Sequence, residues 1–509
     1  MSNSNTNSKR IAKNTIFLYL RMFVMMLIGL FTSRIILQTL GVKDYGIYNV
    51  VGGVVGMFTL LTAAMSSSIS RFLTFELGRG DNEQLKKVFS TSLNVQFIMS
   101  AIVIIATEIV GVWFLNYKLD IPTERLGAAN WVFQCSILTF VVGLLMSPYN
   151  ASIISHEKMG VFAYISIWDA VMKLAIVFAL LYSPFDKLKT YAVLLTVVSL
   201  MTTSIYWIYC IRHFDECKYQ FVLDKELLKE ISSYAGWGVV GDGAFVLNTQ
   251  GVNILINMFF GVTLNAARGV ATTVDNMVQQ FVRNFMTALN PQITKSYAAG
   301  DYHYMHQLIF FGSKYSYFMM LLLMIPICLE TRLLLTLWLK IVPEYAVVFT
   351  QLSLVASMTV MLSNTLTTAI AATGKIRNYE LVIGMMALSI FPFTWIAFEL
   401  GMPPVSCYII YIVVFFLMIF AKIKLVKDRI YMSGWDYVKN VLVKAFLVTI
   451  LSLTGPVTIC LLQDDSVFRL IEVFLISPCC TLAVIYFVGM NVEEKAFCLN
   501  IIKKKIHRQ

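Results

Sequence analysis

Charge is what this sequence has least of. Of its 509 residues only 14% are Asp, Glu, Lys or Arg, against roughly a quarter in an ordinary soluble domain. Hydrophobic residues make up 58%, and the mean hydropathy is +0.73. That balance excludes a soluble globular chain and suits a dozen or more membrane spans rather than one anchor. Histidine is scarce as well. The five (His156, His213, His303, His306, His507) all fall in segments expected to be cytoplasmic. His303 and His306 have metal-like spacing, but no cluster accompanies them, so no metal or other cofactor is expected. A Walker loop is lacking, so the chain does not itself consume ATP. No nucleophile has a histidine base, so the chain is not read as an enzyme. Most of the nine cysteines sit inside apolar runs (Cys135, Cys210, Cys328, Cys407, Cys460, Cys479, Cys480), which argues against a disulfide framework. The first apolar run is too long for a signal-peptide core and has no small-x-small cleavage site, so it reads as a retained helix.

What is present is a succession of apolar runs. They fall at about 14–40, 45–70, 88–115, 127–152, 160–183, 190–211, 233–260, 268–290, 306–329, 345–371, 379–400, 404–421, 441–463 and 467–490. The pattern predicts an all-α polytopic membrane protein of about fourteen helices. The run at 268–290 is polar for a span, and that at 404–421 is short. An even number of spans puts both termini on one side. With that side cytoplasmic, 26 of the 40 lysines and arginines fall inside and nine outside, with five within spans. This is the positive-inside pattern. It accounts for the net charge of +11 as topology in a cytoplasmic (inner) membrane, and excludes a nucleic-acid surface. Arg268 is counted here with an outer loop.

Stretches 220 residues apart resemble each other without a gap: Gly41-Val42 and Gly261-Val262, Met57 and Met277, Thr74 and Thr294, Gly80-Asp81 and Gly300-Asp301. Both lie at the start of a six-helix half, which reads as a duplication with the halves related by an axis along the membrane normal. The expected organisation is a six-helix bundle at 1–212, a cytoplasmic linker at 213–232, a second bundle at 233–424, an interfacial segment at 425–440 and an accessory helix pair with a basic tail at 441–509. Trp435 and Tyr437 among basic residues mark the interfacial segment.

Polar residues inside apolar runs are the candidates for function, because lipid cannot satisfy them. The second helix carries Tyr45, Asn49, Gly52, Gly56, Thr59, Ala63, Ser66 and Ser70 on one face, a stripe that serves close packing or lines a cavity. On the eighth, Thr272, Asn276, Gln279 and Arg283 form one stripe flanked by Asp275 and Gln280. The seventh shows Asp242, Thr249, Asn253 and Asn257, loosened by Gly236, Gly238, Gly241 and Gly243. These faces either knit a structural network or line a water-filled path. Asp169 and Lys173, one turn apart, read as a self-neutralising pair, and Lys314 as a snorkelling residue. Arg21 and Arg34 lie within the first helix, about 220° apart in phase at 100° per residue. Each either snorkels or meets an anion, for which a guanidinium fork is well shaped.

At Leu40-Gly41-Val42-Lys43-Asp44-Tyr45-Gly46-Ile47-Tyr48, between a long first helix and a second ending in Ser70-Arg71, the chain resembles the polysaccharide transporter (oligosaccharide flippase) family of the multidrug/oligosaccharidyl-lipid/polysaccharide (MOP) exporter superfamily. The resemblance implies two six-helix bundles in parallel pseudo-twofold repeat around a central cavity, with a C-terminal helix pair. It also implies a polyprenyl-diphosphate-linked oligosaccharide as substrate. Matched by position, the first, second, seventh and eighth helices would line the cavity. The expected function is a flippase working by alternating access among membrane lipids, in surface polysaccharide or O-antigen biosynthesis beside glycan-assembly enzymes. The expected substrate-binding residues are Arg21, Arg34, Asn49, Asn253, Asn257, Asn276, Gln279, Gln280 and Arg283. Asp242 and Asp275 are the sites for a coupling cation, H+ or Na+. The alternatives are a cation-coupled multidrug exporter of the same superfamily and a membrane glycan polymerase.

Overall fold

Capping chemistry sets where the helices begin and end. The computed structural model describes residues 14–25, 58–117, 123–222, 224–260, 262–339, 342–491 and 494–496, with single positions between 27 and 55. No strand occurs among them. The helices are α1 (Asn14–Met25), α2 (Thr59–Arg79), α3 (Asn82–Gly111), α4 (Thr123–Ser155), α5 (Met159–Leu181), α6 (Lys187–His213) and α7 (Lys225–Phe260). They continue as α8 (Val262–Ala298), α9 (Tyr302–Leu329), α10 (Ala346–Ala372), α11 (Arg377–Glu399), α12 (Ser406–Ile430), α13 (Gly434–Leu462) and α14 (Val467–Gly489). A short helix, Thr331–Leu339, follows α9. Eleven of these are long and apolar enough to cross a membrane, and the chain is a multi-pass membrane protein. The runs expected from 88–115 onward coincide with α3 to α14. Those expected at 14–40 and 45–70 lie partly outside the described residues.

The repeat is visible in the caps. α2 ends on Gly80 at φ 75°, and Asp81 then caps α3 by accepting from the Gln84 N–H at 3.0 Å. The turn after α8 holds Gly300 at φ 73°, and Asp301 caps α9 by accepting from the Tyr304 N–H at 3.0 Å. A left-handed residue closes one helix and a carboxylate opens the next, which is why Gly-Asp stands at both places.

The chain forms two compact units. One comprises Met1–Asp242 with Thr294–Gly300, the other Gly243–Ile293 with Asp301–Gln509. In the first, α4 packs along α6, α2 and α3. Lipid tails are as apolar as leucine, so small residues and interhelical hydrogen bonds do the joining. Ser66 Oγ and Ser147 Oγ lie 2.7 Å apart, and Thr74 Oγ1 donates to Ser155 Oγ at 2.8 Å, in the same register. Thus Ser66, from the second-helix stripe, joins α2 to α4. The last turns of α8 dock in this unit too. Lys295 Nζ meets the buried Glu157 Oε1 at 2.8 Å. A Cβ on Gly78 would stand 2.7 Å from the Cβ of Ala298, so only glycine permits that approach. Asp169 and Lys173 do pair, at 2.7 Å.

In the second unit, α9 packs against α10, α13 and α14. Lys314 does not snorkel. It is 1% exposed and holds both carboxylate oxygens of Glu494 at 2.9 Å. At the far end of α9, Arg469 at the start of α14 grips the buried Glu330 with Nε and Nη2 at 2.8 and 3.1 Å. The expected span at 404–421 is longer in fact: α12 runs to Ile430, and α13 starts only four residues later, at Gly434. The 425–440 segment is therefore mostly helical. Trp435 within it is exposed, whereas Tyr437 is fully buried. The Tyr437 hydroxyl donates to Leu362 O and lies 2.7 Å from Ser313 Oγ. Leu362 sits where α10 breaks between Met361 and Asn364. The break frees a carbonyl, and the tyrosine hydroxyl satisfies it, as irregular backbone at membrane depth requires.

Candidate functional site

α8 is 37 residues long, yet it does not meet the hydropathy expected of a span. Its polar side chains recur at three- and four-residue steps, so they form a ladder along one side. Three members bond directly. Gln279 Nε2 donates to Asp275 Oδ2 at 2.8 Å and to Ser357 Oγ of α10 at 2.9 Å. Ser357 Oγ donates to the same Asp275 Oδ2 at 2.8 Å. Arg283 Nη2 donates to Gln279 Oε1 at 3.1 Å. The Gln279 amide is thus fixed in orientation: its NH2 faces a carboxylate and its carbonyl faces a guanidinium, and a flip would lose these bonds. The result is a relay across two helical turns that aligns an exposed arginine with a half-buried aspartate. Asp275 Oδ1 is buried and has no hydrogen-bond partner. Chemically, the relay offers a cation for phosphate at one end and a carboxylate for a proton or metal cation at the other.

The other expected residues are not drawn into this relay. Asn276 is exposed and Gln280 half-buried on the same helix. Asn253 on α7 bonds to Gln250 Oε1 at 3.2 Å. Asp242 is exposed on α7 and belongs to the other unit. Arg21 Nη1 donates to Ser166 Oγ at 3.4 Å, and its guanidinium lies 4.5 Å from the Phe162 ring centroid, both on α5. Arg34, Asn49 and the side chain of Asn257 lie outside the described residues.

Sequence reasoning misplaced one residue. Arg268, counted with an outer loop, sits in the second turn of α8 and is 6% exposed. Its Nη2 donates to Thr249 O and to Tyr411 Oη, each at 3.4 Å, and Asn248 Nδ2 donates to the same Tyr411 Oη at 3.1 Å. Extending the Thr272 stripe one turn back would have reached Arg268. Tyr411, one of two tyrosines in an apolar run, gave no signal. Ser357 gave none either.

Long apolar helices in two compact units, with a polar relay on α8, define a multi-pass membrane protein. The chain belongs to the family described as polysaccharide biosynthesis protein, which it matches over residues 11–297. It is 22% identical over 125 residues to the uncharacterized membrane protein EpsK of Bacillus subtilis (strain 168), a match spanning 25% of either chain. Among solved structures it is similar to a MATE in the straight conformation, at 13% identity and TM-score 0.71 over 84% of this chain and 96% of that one. It is also similar to a MOP superfamily transporter from Pyrococcus furiosus, reported with a binding pocket of reverse polarity, at 14% identity and TM-score 0.64 over the same shares. The fold is that of these solved transporter structures.

Proposed function

We propose that the chain is a flippase that moves a polyprenyl-diphosphate-linked oligosaccharide across the cytoplasmic membrane by alternating access, in surface polysaccharide or O-antigen assembly. Both termini are then cytoplasmic, and 1–212 and 233–424 are the two six-helix halves. The observation that carries this reading is the relay from Asp275 through Gln279 to Arg283, on a helix too polar for lipid, in a chain of the polysaccharide biosynthesis family. Arg283, with Arg21 and Arg34, offsets diphosphate charge. Asn49, Asn253, Asn257, Asn276, Gln279 and Gln280 serve sugar hydroxyls. Asp275 and Asp242 take the coupling cation, H+ or Na+. An inside-negative potential favours outward movement of the anionic headgroup by ~2.3 kcal/mol per charge per 100 mV.

A second reading, a cation-coupled multidrug exporter, is favoured by the buried Asp275 Oδ1 without a partner. The two are separated in proteoliposomes. The flippase reading expects translocation of a fluorescent polyprenyl-diphosphate glycan that Arg283→Ala abolishes and Asp275→Asn uncouples from an imposed cation gradient. Efflux of hydrophobic cations, with no movement of the glycan lipid, would overturn it.

A further inference from the structure

The buried Arg268 has a surplus of hydrogen-bond donors and no counter-charge. A guanidinium carries five N–H donors and no acceptor. Two are accounted for by Nη2, which reaches Thr249 O and Tyr411 Oη at 3.4 Å. Nη1 is buried and has no hydrogen-bond partner. Among the described residues no carboxylate lies within ion-pair distance of Arg268. The buried ion pairs elsewhere in this unit show the contrast. Lys314 has Glu494 and Arg469 has Glu330. Arg268 has instead the rings of Tyr408 and Tyr411, each with its centroid 5.9 Å away. Aromatic faces attract a cation, but they do not neutralise it.

Tyr411 adds a further donor. Its oxygen accepts from both Asn248 Nδ2 and Arg268 Nη2. Both lone pairs are then engaged, and the hydroxyl hydrogen remains to be donated. Asn248, 1% exposed, holds that oxygen in place, and its own Oδ1 is an acceptor without a partner. Three hydrogens, two from Nη1 and one from Tyr411, thus outnumber the one orphan acceptor, Asn248 Oδ1, beside an isolated positive charge. A water molecule would satisfy donors and leave the charge unpaired. A buried charge is stable only with an opposite one.

We propose that Arg268 Nη1 and the Tyr411 hydroxyl hold a small inorganic monoanion, chloride or one of its size, between α7, α8 and α12. One guanidinium and one hydroxyl match a single charge and few acceptor sites; a phosphate would need more of both. The site is independent of what the chain transports, since Arg268 makes no bond to the Asp275–Gln279–Arg283 relay.

The test uses the full-length chain purified in detergent, moved between sodium gluconate and sodium chloride at constant ionic strength. Thermal unfolding is followed by intrinsic fluorescence. Chloride should raise Tm by about 1 °C per tenfold step above half-saturation, as ligand linkage requires for a chain of this size. Tyr411→Phe should shrink that shift and Arg268→Met remove it. An equal shift in wild type and Tyr411→Phe, or no shift in wild type, overturns the proposal. Should Arg268→Met not fold, bromide-soaked wild-type crystals decide: an anomalous peak beside Nη1 supports the site. Water alone there, or the Asp275 carboxylate turned onto the guanidinium, sinks it.

Discussion

Replacing Gln279 with leucine separates positioning from stability. The substitution keeps the volume and removes three hydrogen bonds: to Asp275 Oδ2, to Ser357 Oγ and from Arg283 Nη2. Side-chain hydrogen bonds between membrane helices average about 0.6 kcal/mol each. Arg283 is exposed, so its bond contributes least, and Ser357 still donates to Asp275. The summed loss is about 1–2 kcal/mol, a fall in Tm of only a few degrees. Transport should suffer more. An arginine no longer held at its angle loses bidentate geometry toward a diphosphate, and about 1.4 kcal/mol at that step is tenfold in rate. The assay is translocation of a fluorescent polyprenyl-diphosphate glycan in proteoliposomes, normalised to inserted protein. Gln279→Leu should slow it about tenfold or more. The pair Gln279→Leu with Arg283→Ala should be no slower than Arg283→Ala alone, because both act through one guanidinium. Multiplicative losses in the double variant, or normal translocation in Arg283→Ala, would refute the relay.

Arg469→Met leaves the 1% exposed Glu330 carboxylate without its cation, which should destabilise by about 3–5 kcal/mol. Adding Glu330→Met should recover most of that, measured as Tm in detergent. Tyr437→Phe removes the donor to Leu362 O at the α10 break, costing about 1–3 kcal/mol for a buried carbonyl left bare; a Tm equal to wild type would count against this account of the break. In the turn before α6, burial works to raise the Asp186 carboxyl, but the Lys189 N–H and the Arg125 guanidinium hold it below its usual range. A depressed carboxylate pKa stabilises fully above the unfolded value of about 3.9. That contribution fades as pH falls through the lower folded value. The acid limb of Tm against pH should therefore flatten below about pH 4 in Asp186→Asn.

Helices were legible in the sequence because bilayer thickness and lipid both impose long apolar runs, and the runs from 88–115 onward coincide with α3 to α14. What joins the helices was less legible, since it depends on partners far apart in sequence. Lys314 near a helix end looks like any snorkelling lysine until Glu494, 180 residues away, is seen against it. Tyr437 among basic residues resembles an interfacial anchor, and only the break at Leu362 explains why it is buried. Asp44, inside the recognisable Gly41–Tyr48 motif, accepts from Arg125 Nε at 2.9 Å while Nη1 of the same arginine reaches Asp186 at 2.6 Å. The motif aspartate thus has a structural task that its local sequence did not announce.

The candidate site could be read on α8 because a polar stripe repeating every three to four residues has no other explanation at membrane depth than protein or water on that side. The stripe named Gln279, Arg283 and Asp275 but not their order of bonding. That order depends on Ser357, a small residue whose hydroxyl commonly bonds its own helix and carries no signal. It also depends on the reach of one amide between two charges of opposite sign. A like argument separates Arg283 from Arg21. Both are arginines inside apolar runs, yet Arg21 lies over Phe162 and bonds Ser166, whereas Arg283 is exposed and held from behind by a neutral amide. A guanidinium braced by an amide rather than a carboxylate keeps its full charge for an incoming anion. This is the physical reason to test the proposed diphosphate contact at Arg283 first.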